Sequence, residues 1–316
     1  MIDVSLLDPF QTLNIPVGDW VQNLLNYLVH NFRHIFRAAR WPIDQILMFI
    51  DAILNYIPPT IAIILSALFG WQVSGPKMGV FCAFTLSVLG LIGVWHQSMV
   101  TLSLVLTSLF FCVVIGIPMG ILSARYDRLE RTIRPILDAM QTLPAFVYLV
   151  PVVMLFGIGN VPGVLVTIIF AIPPLVRLTN LGIRQIPEDK IEAARAFGCT
   201  PKQMLTKVQL PLAMPTIMAG VNQTLMMSLS MVVIASMISV EGLGQMVLRG
   251  IGRLDMGLAT VGGLGLVLLA IFLDRLTQAM GEKAGKSSGK AWYKTGPIGL
   301  VRGIFCSSSK KRPLAL

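Results

Sequence analysis

Apolar positions along the chain gather into runs at about 57–73, 79–95, 98–123, 143–158, 161–178, 214–238 and 257–280. Several lie near the lower limit, about 17 residues, for a helix that crosses a hydrocarbon core. The pattern predicts an all-α polytopic membrane protein with about seven transmembrane helices. Ahead of the first run, Trp20, Leu24, Leu25, Leu28, Phe32 and Phe36 recur at helical spacing, with Gln22, Asn26, Arg33 and Arg37 between them. A second amphipathic stretch, 43–56, follows Trp41-Pro42. Both fit helices that lie in the membrane interface or pack on the protein's flank. The expected organisation is an amphipathic segment over 1–56, a transmembrane domain over 57–280 and a basic tail over 281–316.

One polar segment stands out between two apolar runs. Residues 186–211, IPEDKIEAARAFGCTPKQMLTKVQLP, read as two short helices around a turn. Pro187 suits the first position of a helix, and Glu188 and Asp189 suit the positive end of its dipole. Gly198 can take the left-handed conformation that ends this helix. Thr200-Pro201-Lys202-Gln203 reads as a capping box for the second helix, and Pro211 and Pro215 are expected to close the unit. Helix, glycine turn, helix also describes a DNA-binding motif. Here both ends run into hydrocarbon-length segments and no third helix completes such a domain, so no nucleic-acid partner is expected.

Composition supports the membrane assignment: 55% of residues are hydrophobic and 13% charged, too few charges to cover a soluble surface of this length. The net charge of +10 then reports topology before it reports partners. With the N-terminus outside, only Arg33, Arg37, Arg40, Arg249 and Arg253 of the 25 basic residues fall on the outer side. The 186–211 hairpin therefore faces the cytoplasm. The basic tail is expected to lie along anionic membrane lipids. The glycine-rich 239–256 connection either re-enters the membrane or caps the outer mouth. Cys82, Cys112, Cys199 and Cys306 lack metal-ligand spacing and read as free thiols.

No catalytic constellation or metal site emerges. His30 and His34 are spaced i, i+4 but lack an acidic third ligand nearby. The tail's 281–287, GEKAGKS, is one residue short of a phosphate-binding loop. The runs hold almost no ionisable groups, which disfavours an ion-driven carrier. Asp274 and Arg275 read as an interfacial pair. In 214–238, Asn222, Gln223, Thr224 and Ser228 either line a pathway for a polar solute or bond between helices. Glycines such as Gly116, Gly120, Gly262, Gly263 and Gly265 are expected to let helices approach closely.

Glu192-Ala193-Ala194, three residues, Gly198, nine residues and Val208-Gln209-Leu210-Pro211 form a spaced motif. It resembles the EAA loop of ABC importer permeases, with Val208 where isoleucine is usual. The runs 138–164, 207–225 and 244–263 are similar to the glycine betaine/proline betaine permeases of that family, and the likeness covers most of the chain. The resemblance implies a type-I-like permease fold in the cell inner membrane, with a periplasmic N-terminus and a cytoplasmic C-terminus. It implies a homodimer that works with a separate ATPase and a periplasmic betaine-binding protein. ATP and magnesium would sit on the ATPase, leaving no cofactor on this chain. Glu192 would make a polar or ionic contact to the ATPase, Ala193 and Ala194 would form the close-packed face, and Gly198 would be a turn that no side chain should crowd. Choline or carnitine as substrate is the first alternative; a secondary carrier and, last, a membrane-anchored DNA-binding regulator are the others.

Overall fold

A computed structural model describes residues 16–285. Among these the regular structure is helical. In chain order the helices are α1 (Val17–Tyr56), α2 (Pro59–Ser74), α3 (Pro76–Leu91), α4 (Trp95–Arg125) and α5 (Asp127–Thr142). A 3₁₀ turn (Ala145–Tyr148) leads into α6 (Leu149–Phe156), α7 (Asn160–Arg184) and α8 (Glu188–Ala196). The described residues close with α9 (Pro201–Ile238), α10 (Leu243–Gly252) and α11 (Met256–Gly285).

Four of these, α4, α7, α9 and α11, are long and apolar enough to cross a membrane unbroken. The remaining apolar runs behave differently from the seven single spans expected. The 57–73 and 79–95 runs become two 16-residue helices, α2 and α3, packed as a hairpin about Gly75. The 143–158 run is broken, because Pro144 cannot supply an amide to a continuing helix and the chain restarts in a 3₁₀ turn. Counting each bent pair, α1 with α2 at 104° and α5 with α6 at 103°, as one span raises the number of candidates to six.

At the N-terminal side, α1 is one helix of 40 residues, where two stretches split at Trp41-Pro42 were expected. Pro42 is absorbed within it, and the local departure from helical geometry lies at Phe32 (φ −114°, ψ 17°). The carbonyl that Pro42 leaves unpaired belongs to Ala38, an exposed residue that water can satisfy. The second half of α1 packs on the bundle through Ile43 and Leu47, and Arg40 donates to the Phe156 carbonyl at 3.1 Å.

α4, α7 and α9 form the core, with Leu104, Val105, Leu175, Val176 and Leu225 nearly inaccessible. Apolar burial does not itself draw helices together in lipid, so close packing carries the association. α4 meets α7 across Gly120, where an added Cβ would lie 2.5 Å from Thr179 Cβ and 2.9 Å from the Val176 carbonyl oxygen. Gly116, Gly262 and Gly265 also face close neighbours, whereas nothing lies within 4 Å of a Cβ at Gly263. At the end of the bundle away from α8, α10 packs on α11. Leu243 N–H donates to Thr101 Oγ1 at 2.9 Å and fixes its first turn to α4.

Candidate functional site

The chain leaves α7 at Arg184 and turns through buried Ile186 and extended Pro187 into α8. Pro187 is thus the residue before the helix rather than its first residue. Glu188 and Asp189 occupy the first turn and Arg195 the last, each complementing the helix dipole. The C-terminus closes in a Schellman motif: Cys199 N–H donates to the Ala194 carbonyl (3.2 Å) and Gly198 N–H to that of Arg195 (2.9 Å). This needs a left-handed residue, and Gly198 has φ +74°. A Cβ there would meet nothing within 4 Å, so backbone conformation rather than crowding inside this chain selects glycine.

The following cap is the predicted box. Thr200 N–H donates to Gln203 Oε1 at 2.9 Å, and Gln203 N–H donates to Thr200 Oγ1 at 3.4 Å. The second helix does not stop at Pro211 or Pro215, however. It widens into a π-turn over Met204–Gln209 and runs on as the long helix α9. A proline ring at 211 would collide with the Lys207 carbonyl in an ordinary α-turn, and the wider turn relieves that conflict. The hairpin is therefore rigidly continuous with a membrane-length helix. Arg125 Nη2 adds a contact from α4 to the Pro201 carbonyl (3.3 Å).

The motif residues divide by exposure. Glu192 and Ala193 are exposed, while Ala194 and Met204 are buried where α8 packs on the π-turn. Val208 and Leu210 are half-buried, Leu210 beside Ile183, Ala213 and Ile217, and Pro211 is exposed. Between Ala193 and Gly198 stands a residue that sequence reasoning missed: Phe197 is 91% exposed at the hairpin's tip. A large aromatic residue in an otherwise polar, capped turn was the available signal.

A second missed feature ties the root of the hairpin to the amphipathic helix α5. Arg184 Nη2 lies 2.6 Å from Asp127 and 2.9 Å from Glu130, and it donates to the Ser123 carbonyl at 3.0 Å. Asn180 Nδ2 donates to Glu130 at 3.2 Å. Farther along α7, Arg177 pairs with Asp138 at 2.5 Å and donates to Gln141 at 2.8 Å. Asp127, Glu130 and Asp138 share one side of α5 at spacings legible in the sequence.

The four pathway candidates separate as well. Thr224 and Ser228 are fully buried, and Ser228 donates to the Thr224 carbonyl within α9. Gln223 is exposed. Asn222 bonds to α11, donating to Asp274 Oδ1 at 2.9 Å and accepting from Thr277. The Asp274 carboxylate pairs with the Asn222 and Gln278 amides rather than with Arg275. Among the described residues no group of three His, Cys, Asp or Glu side chains could hold a metal ion. The GEKAGKS segment from position 286 on, Cys306 and most of the basic tail lie outside the described residues.

Comparison with known proteins sets this geometry in context. The sequence pattern of the family described as "Binding-protein-dependent transport system inner membrane component" matches residues 116–285, which include the whole hairpin. The glycine betaine/proline betaine transport system permease protein ProW of Escherichia coli is 63% identical over 95% of this chain and 85% of its own length. The glycine betaine/carnitine transport permease protein GbuB of Listeria monocytogenes is 46% identical over 85% of this chain and 97% of its own. Among solved structures, the MetNI methionine ABC transporter in an inward-facing conformation has a similar chain: TM-score 0.51, 29% identity, 64% of this chain and 97% of that one.

Proposed function

Because the chain belongs to the family of binding-protein-dependent transport system inner membrane components, we propose that it is the permease subunit of an ATP-driven importer of glycine betaine and proline betaine. The substrate class rests on relatives that carry it in their names. The coupling role rests on one observation above others: a double-capped hairpin, continuous with α9, presents an exposed Phe197 at its tip.

In this reading two copies of the chain pair in the cell inner membrane, with the hairpins and C-termini in the cytoplasm and the N-termini in the periplasm. ATP and magnesium bind the partner ATPase, whose closure draws the two hairpins together. Glu192 and Ala193 form the exposed flank of the docking surface and Phe197 its anchor, since aromatic residues seated in pockets dominate interface energetics. Ala194 acts from inside the hairpin by packing α8 on the π-turn. Displacement of the hairpin passes into α9 through the π-turn and into α7 through Arg184, so the spans rock as linked bodies. A periplasmic betaine-binding protein delivers solute at the α10 end.

Labelled glycine betaine uptake into proteoliposomes tests the assignment, comparing the complete set with sets lacking the ATPase or the binding protein. Uptake by the complete set alone is the expected result. Transport by this chain alone would contradict the mechanism, and ATP hydrolysis without betaine uptake would contradict the substrate.

A further inference from the structure

The four long apolar helices hold two acidic residues, Asp274 and Glu282 of α11, and Glu282 is exposed near the helix end. Asp274 is different. It lies within the span, half-buried, and belongs to none of the ion pairs among the described residues. Asn222 Nδ2 donates to its Oδ1 at 2.9 Å, and Gln278 Nε2 lies 2.8 Å from each oxygen. Amide N–H groups converging on both oxygens suit an ionised, acceptor-only carboxylate. Thr277 donates in turn to Asn222 Oδ1, which fixes how that amide is turned.

Asn222, Gln278 and the exposed Glu282 line a cleft of about 660 Å³ between α9 and α11, walled on its apolar side by Pro215, Met218 and Met226. That volume lies within the roughly 300–1,000 Å³ of ligand sites. Charged groups at membrane depth face a bundle interior or a water-filled cavity, and they mark solute pathways. Among the described residues no cation pairs with this carboxylate, and its neutral donors leave a net negative charge beside that cleft. Gln278 spends its N–H donors on Asp274, which leaves its Oε1, the negative end of the amide, for a ligand.

We infer that the α9–α11 cleft is a transit site for a quaternary ammonium cation, with Asp274 as its countercharge. A methylated ammonium has no N–H donor, is large and is weakly hydrated. Diffuse negative potential with polarisable methionine walls suits it better than hydrogen bonds would. The absence of an aromatic cage in the lining keeps binding weak, as passage requires. The site deepens the betaine reading and rests on it.

The test uses the reconstituted complex carrying Gln223→Cys at the cleft, with Cys199→Ser and Cys306→Ser; Cys82 and Cys112 are buried. N-ethylmaleimide labelling is followed with tetramethylammonium, with its uncharged analogue 3,3-dimethyl-1-butanol, and with sodium at equal ionic strength. Tetramethylammonium alone should protect, and Asp274→Asn should raise the half-protecting concentration about tenfold. Asp274→Glu should restore protection. Equal protection by the uncharged analogue, or unaltered protection in Asp274→Asn, would overturn the inference and leave Asp274 as a helix-packing residue. Betaine uptake is measured in the same vesicles. Uptake without protection removes the cleft alone, whereas protection without uptake supports the cleft and removes the importer's substrate.

Discussion

Arg184 and Glu130 stand 2.9 Å apart, and their contact joins the root of the α8 hairpin to an amphipathic helix running at a steep angle to the segment that follows it. Asp127 shares the same guanidinium at 2.6 Å. These groups are about one-third to two-thirds exposed, so each pair contributes only about 0.2–1 kcal/mol and is screened by salt. Arg184→Gln should loosen α5 without unfolding the bundle. Amide exchange over 127–142 should quicken in the variant at low salt. Added salt should bring the wild type toward the variant's rate; a salt-independent wild type would show that the ion pairs do not hold α5.

Two glycines should respond in opposite ways. Gly120→Val places side-chain atoms where even a Cβ would be 2.5 Å from Thr179, and overpacking of this kind costs about 1–3 kcal/mol. Its yield of folded protein and its melting temperature in detergent should both fall. Gly198→Ala meets no atom of the described residues and bears only the left-handed conformation, roughly 1–2 kcal/mol confined to a hairpin. Gly198→Asp should likewise insert and fold yet lose transport, because the added bulk meets the docked ATPase. Normal uptake by that variant would refute the turn's role at the interface.

Cys199 offers a direct report on docking. It lies half-buried in the turn next to Phe197 and Gly198, whereas Cys82 and Cys112 are buried in the bundle. In a Cys306→Ser background, maleimide should label Cys199 in the isolated permease and should be excluded by the bound ATPase. Equal labelling in both states would place the docking surface elsewhere.

The hairpin was legible because its signals are local. Gly198 and the Thr200–Gln203 box specify their conformations within a few residues, and the structure reproduces both. The continuation through Pro211 was hidden, since a proline reads as a stop unless a widened turn upstream absorbs its clash. Single spans were over-read for the same reason: apolar length alone does not reveal the break at Pro144 or the hairpin at Gly75. Thr224 and Ser228 share a polar run with Asn222 and Gln223, but helical rotation buries the first two, turns Asn222 toward α11 and leaves Gln223 exposed. Asp274 read as half of a pair with its neighbour Arg275, although partners on a helix lie three or four positions away, as Gln278 does.

The central claim is that the hairpin tip transmits the work of the ATPase, and Phe197→Asp tests it most directly. The ring is 91% exposed among the described residues, so its loss should leave the bundle intact. The measurement is the initial rate of ATP-dependent glycine betaine uptake in proteoliposomes containing the variant permease, the ATPase and the binding protein. Truncating an interface anchor typically costs about 2 kcal/mol or more. Uptake should therefore fall at least about thirtyfold while the variant remains folded in the membrane. Uptake at the wild-type rate would contradict the account, because the most exposed apolar group of the hairpin would then have no part in coupling.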